Sequence, residues 1–91
     1  MYKMTGKLVR MTDIVNRQGR LGTYATRSLI LELGGEPRQT VFGTFFGSHI
    51  DTLGALDLRY GDELEVDCVF TTSERNGFVS NYVEFQNPRK L

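Results

Sequence analysis

The sequence predicts an all-β fold: a five-stranded Greek-key barrel with one short helix between its third and fourth strands. Three observations predict it. Five stretches rich in β-branched and aromatic residues alternate apolar with polar side chains at a period of two. Turn signals at Gly34-Gly35-Glu36-Pro37, Gly61-Asp62 and Asn76-Gly77 separate most of them. One stretch, Val41 to Asp51, breaks the strand rhythm by running a strand directly into a short helix.

The first strand spans Lys3 to Val15. Gly6 and the adjacent Leu8-Val9 pair interrupt its alternation, as a bulge or sharp bend would. Asn16 to Gly22, with two glycines, two arginines and two amides, reads as a loop. Thr23 to Leu33 is the second strand, with Leu29, Leu31 and Leu33 inward and Ser28, Ile30 and Glu32 outward. The same parity puts Tyr24 and Thr26 outward and Ala25 and Arg27 inward. An inward Arg27 requires a place near the barrel rim or a register shift.

Arg38 to Phe46 is the third strand: Val41, Gly43 and Phe45 on one face, Phe42, Thr44 and Phe46 on the other. Gly47 ends it. Ser48 is expected as the helix N-cap, with Asp51 three residues on, and the helix runs to about Leu56 with Ile50 and Leu53 plugging one end of the barrel. Glu63 to Phe70 alternates acid and apolar, placing Leu64, Val66, Cys68 and Phe70 inward. Thr71 to Gly77 is expected as a turn around Asn76-Gly77. Phe78 to Gln86 is the fifth strand, and Asn87 to Leu91 a basic tail.

At 91 residues the chain has the size of one domain, so residues 1–91 are expected to fold as a unit. A core this small buries about two-thirds of the unfolded surface, which makes association into a dimer or tetramer advantageous. The net charge is zero, but its distribution is uneven: residues 1–43 carry +4 and residues 44–91 carry −4. A localised basic surface steers anionic partners even on a neutral protein.

The single cysteine, Cys68, excludes an internal disulfide, and core packing is its expected role. The single histidine, His49, is expected in the exposed first helical turn. With one His and one Cys, no nucleophile–base–orienter set can be assembled, so the chain is read as a binding protein and not an enzyme, with no metal and no cofactor. Glu63, Glu65 and Asp67 share one strand face and read as a solvated face rather than a hard-cation site. No apolar run reaches membrane-spanning length and no signal pattern opens the chain, so a cytoplasmic protein is expected.

Three strands, a helix and a two-stranded hairpin follow the order of the OB-fold. In that fold the face of strands two and three, with the loops between strands 1–2 and 4–5, binds oligonucleotides or oligosaccharides. Val41 to Gly47, ending Phe45-Phe46-Gly47, resembles the end of strand three in bacterial single-stranded DNA-binding proteins, and Tyr60 to Val66 resembles the turn that opens their fourth strand. The whole chain is similar to a family of short, uncharacterised OB-fold proteins from bacteria and phages. That similarity rests on Thr5-Gly6-Lys7, Phe46-Gly47, Gly61-Asp62 and Asn76-Gly77. Two departures separate it from the single-stranded DNA-binding proteins: it has no tryptophan, and it ends in basic residues rather than in their long tail with an acidic, apolar tip. The resemblance therefore implies binding without that tail's recruiting function.

Single-strand binding needs aromatic faces for bases and cations for phosphates. The outward parity offers Tyr24, Phe42 and Phe46, with Thr26 and Thr44 between them, and the resemblance implies a base-contacting role for Phe46. Arg17 and Arg20 lie between strands one and two, Arg75 at the last hairpin with Phe78 just beyond it, and Lys7, Arg10 and Arg38 extend the positive track. The expected partner is single-stranded DNA or RNA. The alternative is a protein-interaction or assembly module that covers the exposed Phe42 and Phe46 with a partner subunit.

Overall fold

A strand edge leaves backbone donors and acceptors without partners, and a small β-chain removes its edges by closing the sheet on itself. A computed structural model, which describes residues 1–91, shows this closure for the core strands. The elements are β1 (Tyr2–Met11), β2 (Val15–Gly19), β3 (Gly22–Gly34), β4 (Gln39–Phe46), α1 (Ser48–Gly54), β5 (Glu63–Arg75) and β6 (Phe78–Lys90). Their order in the sheet is β1-β5-β6-β4-β3-β2, and β1 also pairs with β3, so the ladder returns to its start.

β1 achieves this by serving two neighbours. Its first part pairs with β5 from Tyr2 to Lys7; its second pairs with β3 from Lys7 to Met11. The handover falls where the sequence interrupts its alternation. At Gly6 a side chain would press on Glu32 O at 2.9 Å, and the register slips between Leu8 and Arg10. The backbone groups of Leu8 are satisfied from the turn before β5: Leu8 N–H donates to Asp62 O and Gly61 N–H donates to Leu8 O, both at 2.8 Å. The other seam, β4 against β6, is the sole parallel pairing and is short, with Thr44 opposite Glu84.

Inside the ring, Leu29 and Leu31 of β3, Phe45 of β4, Leu64, Val66 and Cys68 of β5 and Phe85 of β6 are buried together. Ile50 and Leu53 of α1 close one end. Burial in this apolar setting pushes the Cys68 thiol pKa up, with the neighbouring Asp67 charge adding to it. Arg27 sits at the rim, half-buried, where its Nε donates to Thr12 O at 2.9 Å.

Several expectations change. Asn16 to Gly19 is not loop but β2, paired with β3 from Val15–Thr26 to Gly19–Gly22, with Arg20-Leu21 alone at the turn. β5 continues past Phe70 to Arg75, and only Asn76-Gly77, both at positive φ, makes the turn. Residues 71–82 thus form an exposed two-stranded arm that leaves the barrel. Phe70 keeps the inward parity of Cys68, but it has passed the rim and is 57% exposed, with Tyr2 edge-on at 5.5 Å. At α1, Gly47 rather than Ser48 holds the N-cap position, with no side-chain cap, and the helix ends at Gly54. His49 is half-buried rather than exposed. Asn87 to Lys90 is not a free tail, because β6 runs through it.

Candidate nucleic-acid interface

Residues directly opposed in neighbouring strands point to the same face, so the registers trace one outer surface across the sheet. Arg17 of β2 opposes Tyr24 of β3. Thr26 lies between Val15 and Phe46; Ser28 opposes Thr44; Ile30 lies between Arg10 and Phe42. Thr44 in turn opposes Glu84 of β6, and the alternation from Glu84 carries the surface out along the arm through Tyr82 and Ser80 to Phe78, which opposes Arg75. Seven of the eight candidate residues share this surface; Arg20 stands at the β2–β3 turn beside it.

At the centre are aromatic rings that the barrel does not bury. Phe42 is 58% exposed, Tyr24 41% and Phe46 37%. The Tyr24 and Phe46 rings lie 6.1 Å apart and tilted by 37°, close enough to fix one another while leaving faces free. Thr44 and Ser28 share a hydrogen bond of 2.8 Å between their hydroxyls. Between Phe42, Thr44 and Phe46 on one side and Thr71 and Asn81 to Glu84 on the other runs an open groove of about 280 Å³.

Thr26 is outward by register, as expected, but it is buried. It is flanked by Val15 and Phe46, its hydroxyl donates to Val15 O at 3.4 Å, and it accepts from Arg17 Nε at 3.3 Å. Arg17 is thereby tied to the sheet, whereas Arg20, Arg75 and Phe78 stand at the hairpin tips, away from the central groove. The strand reading missed Tyr82, Asn81 and Glu84 as groove residues. The alternation Phe78, Ser80, Tyr82, Glu84 carried the signal for Tyr82 and Glu84.

The ion pairs sort the basic residues. Arg38 pairs with Glu32 at 3.2 Å, so it does not add a free cation to the track. Arg89 pairs with Glu65 at 2.8 Å and Asp67 at 3.0 Å, and Lys90 with Asp62 at 3.3 Å. Glu65 and Asp67 are therefore clasped by the last strand rather than left as a solvated face. The Asn87 amide, which donates to Asp67 at 2.9 Å, and then Arg89 hold the Asp67 carboxyl below its usual pKa; Asp67 in turn raises that of Arg89. The Arg59 N–H, and then Lys90, do the same for Asp62. No ion pair engages Arg10, Arg17, Arg20 or Arg75. No group of three or more His, Cys, Asp or Glu side chains is placed to hold a metal ion, and no helix is long and apolar enough to cross a membrane.

Among solved structures, the mitochondrial single-stranded DNA-binding protein Rim1 of S. cerevisiae matches with a TM-score of 0.71 at 10% identity, over 99% of this chain and 92% of that one. The fold is an OB-fold. A small single-stranded DNA-binding protein from Streptomyces coelicolor is also similar, with a TM-score of 0.49 at 19% identity, over 93% of this chain and 85% of that one. No protein-family model and no curated protein matches the chain. In OB-fold terms, β3 and β4 are strands two and three, the β2 hairpin fills the connection between strands one and two, and the β5–β6 arm is the 4–5 connection. The candidate surface thus spans strands two and three of the fold and both of these connections.

Proposed function

We propose that the protein binds single-stranded DNA or RNA, with little regard to sequence along most of its length, across the outer face of β3 and β4. The observation that carries this reading is the exposed row Tyr24, Phe46 and Phe42, flanked by arginines that no carboxylate neutralises. Each base has a π-face that such rings can stack, worth roughly 1–3 kcal/mol, and phosphates passing Arg17, Arg20 and Arg75 release counterions. The likeness to Rim1, whose name states single-stranded DNA binding, supports the reading.

Fluorescence anisotropy of a labelled thymine oligonucleotide, titrated at low and physiological salt beside a duplex control, tests it. Micromolar or tighter binding that weakens steeply with salt, with the duplex bound far more weakly, is the expected result. No binding at low salt overturns it.

A second observation favours self-association as well. The opposite face of the arm exposes Phe70 and Val79, with Tyr2 against Phe70, and an apolar patch of this kind on so small a barrel suits a second copy of the chain. Sedimentation velocity across a concentration series is expected to show a dimer or tetramer; a monomer throughout removes this part of the reading.

A further inference from the structure

The groove contains one group that a polyanion site has no obvious use for. Glu84 lies at the short β4–β6 seam, half-buried, opposite Thr44 and within the wall shared by Phe42, Phe46 and Tyr82. Its carboxylate accepts a hydrogen bond from Gln86 Nε2 at 2.7 Å, a neutral amide, and no cation pairs with it. A carboxylate there repels phosphate, so a strand crossing this face keeps its backbone outside the groove, toward the arginines beyond it, and presents a base to the groove. The volume of about 280 Å³ suits a single base.

We propose that Glu84 makes this subsite select bases with outward-facing N–H donors, guanine above all, and disfavour thymine and uracil. The inference rests on the single-strand reading above and adds a base preference to it.

The chemistry follows from the donor inventory. A carboxylate only accepts hydrogen bonds. Of the other polar groups lining the groove, the Thr44 hydroxyl is engaged with Ser28 and the Asn81 carbonyl with the Thr72 hydroxyl, which donates to it at 3.2 Å. The Thr71 hydroxyl and the Asn81 amide are free but uncharged, so Glu84 is the one charged group of the lining. Bases of a single strand expose their pairing edges. Guanine presents N1–H and the N2 amino group side by side, a match for two carboxylate oxygens. Cytosine and adenine offer one amino group each. Thymine and uracil offer one N–H flanked by two carbonyl oxygens, which a carboxylate repels. The aromatic walls stack any of them, so the discrimination is assigned to Glu84, whose charge outweighs the neutral Thr71 and Asn81 groups beside it.

The test titrates the protein with short labelled thymine oligonucleotides whose central base is thymine, guanine or hypoxanthine, which lacks the N2 amino group. Wild type and Glu84→Gln are compared; the substitution keeps the side chain's size and its contact with Gln86. Wild type is expected to bind the guanine strand roughly tenfold more tightly than the thymine strand, with hypoxanthine between them. In Glu84→Gln the spread is expected to collapse, with the thymine strand bound more tightly than by wild type. Equal wild-type affinities for all three, or an unchanged spread in Glu84→Gln, overturns the base preference and leaves single-strand binding standing. Failure of every strand to bind overturns the single-strand reading and this inference with it.

Discussion

The ring of Phe85 fills the space that a side chain on Gly43 would occupy. Both residues face inward from β4 and β6, Gly43 is buried, and a Cβ built on it would collide with the Phe85 ring, which lies 5.6 Å from that of Phe45. Gly43→Ala is expected to cost about 1–3 kcal/mol of stability through overpacking. Gly43→Ala with Phe85→Leu should recover part of that loss, because the ring and the new methyl compete for one volume. Urea denaturation of the three proteins checks it.

Gly47 is required for a different reason. It turns the chain from β4 into α1 at φ 56°, ψ −126°, and nothing lies within 4 Å of where its Cβ would be. Gly47→Val is therefore a backbone penalty alone, of about 1–3 kcal/mol. Gly54→Ala, in the same helix and also in open space but without a positive φ, should instead gain roughly 0.5–1 kcal/mol. Opposite shifts in melting temperature are the expected readout.

Phe46→Ala should weaken oligonucleotide binding by roughly one stacked base, about 1–3 kcal/mol. The Tyr24 and Phe46 ring centroids lie 6.1 Å apart, within the range of an aromatic pair, so the losses in Tyr24→Ala and Phe46→Ala should not add in the double variant. Anisotropy titrations of the four members of the cycle measure the coupling.

Arg20 and Arg89 separate free charge from structural charge. Arg20→Ala should lower the slope of log affinity against log salt by about one charge. Arg89, occupied by Glu65 and Asp67, should leave that slope unchanged when replaced by Ala while lowering thermal stability. Titrations over a salt series, paired with melting curves, distinguish the two.

The same cluster sets an acid limit. Asp67 and Asp62 have folded-state pKa values below the ordinary 3.8, so the unfolded chain binds protons that the folded one refuses. Their contribution is fully present above about pH 4 and is lost as pH falls through the lowered folded values. Asp67→Asn should be less stable than wild type at neutral pH, with the gap narrowing below pH 4 in melting temperatures measured across that range.

Local chemistry was enough to specify much of this protein. Alternation in Thr23 to Leu33 and Glu63 to Phe70 named the inward residues Leu29, Leu31, Leu64, Val66 and Cys68. Asn76-Gly77 named the hairpin turn, with φ 52° and 81°, and Phe45-Phe46-Gly47 named the passage into the helix. Each of these signals records burial on one face or a backbone angle few residues tolerate, and both are written within a few positions of the chain. Tertiary structure alone decided the rest. β2 and the arm from Thr71 to Arg75 carry no period, because both of their faces meet solvent and only pairing makes them strands. Whether Arg89 is free depends on its meeting Asp67, 22 positions earlier, and whether Glu84 faces Phe42 and Phe46 depends on a parallel seam only one pair long. Such meetings are set by register between distant strands, which no local pattern encodes.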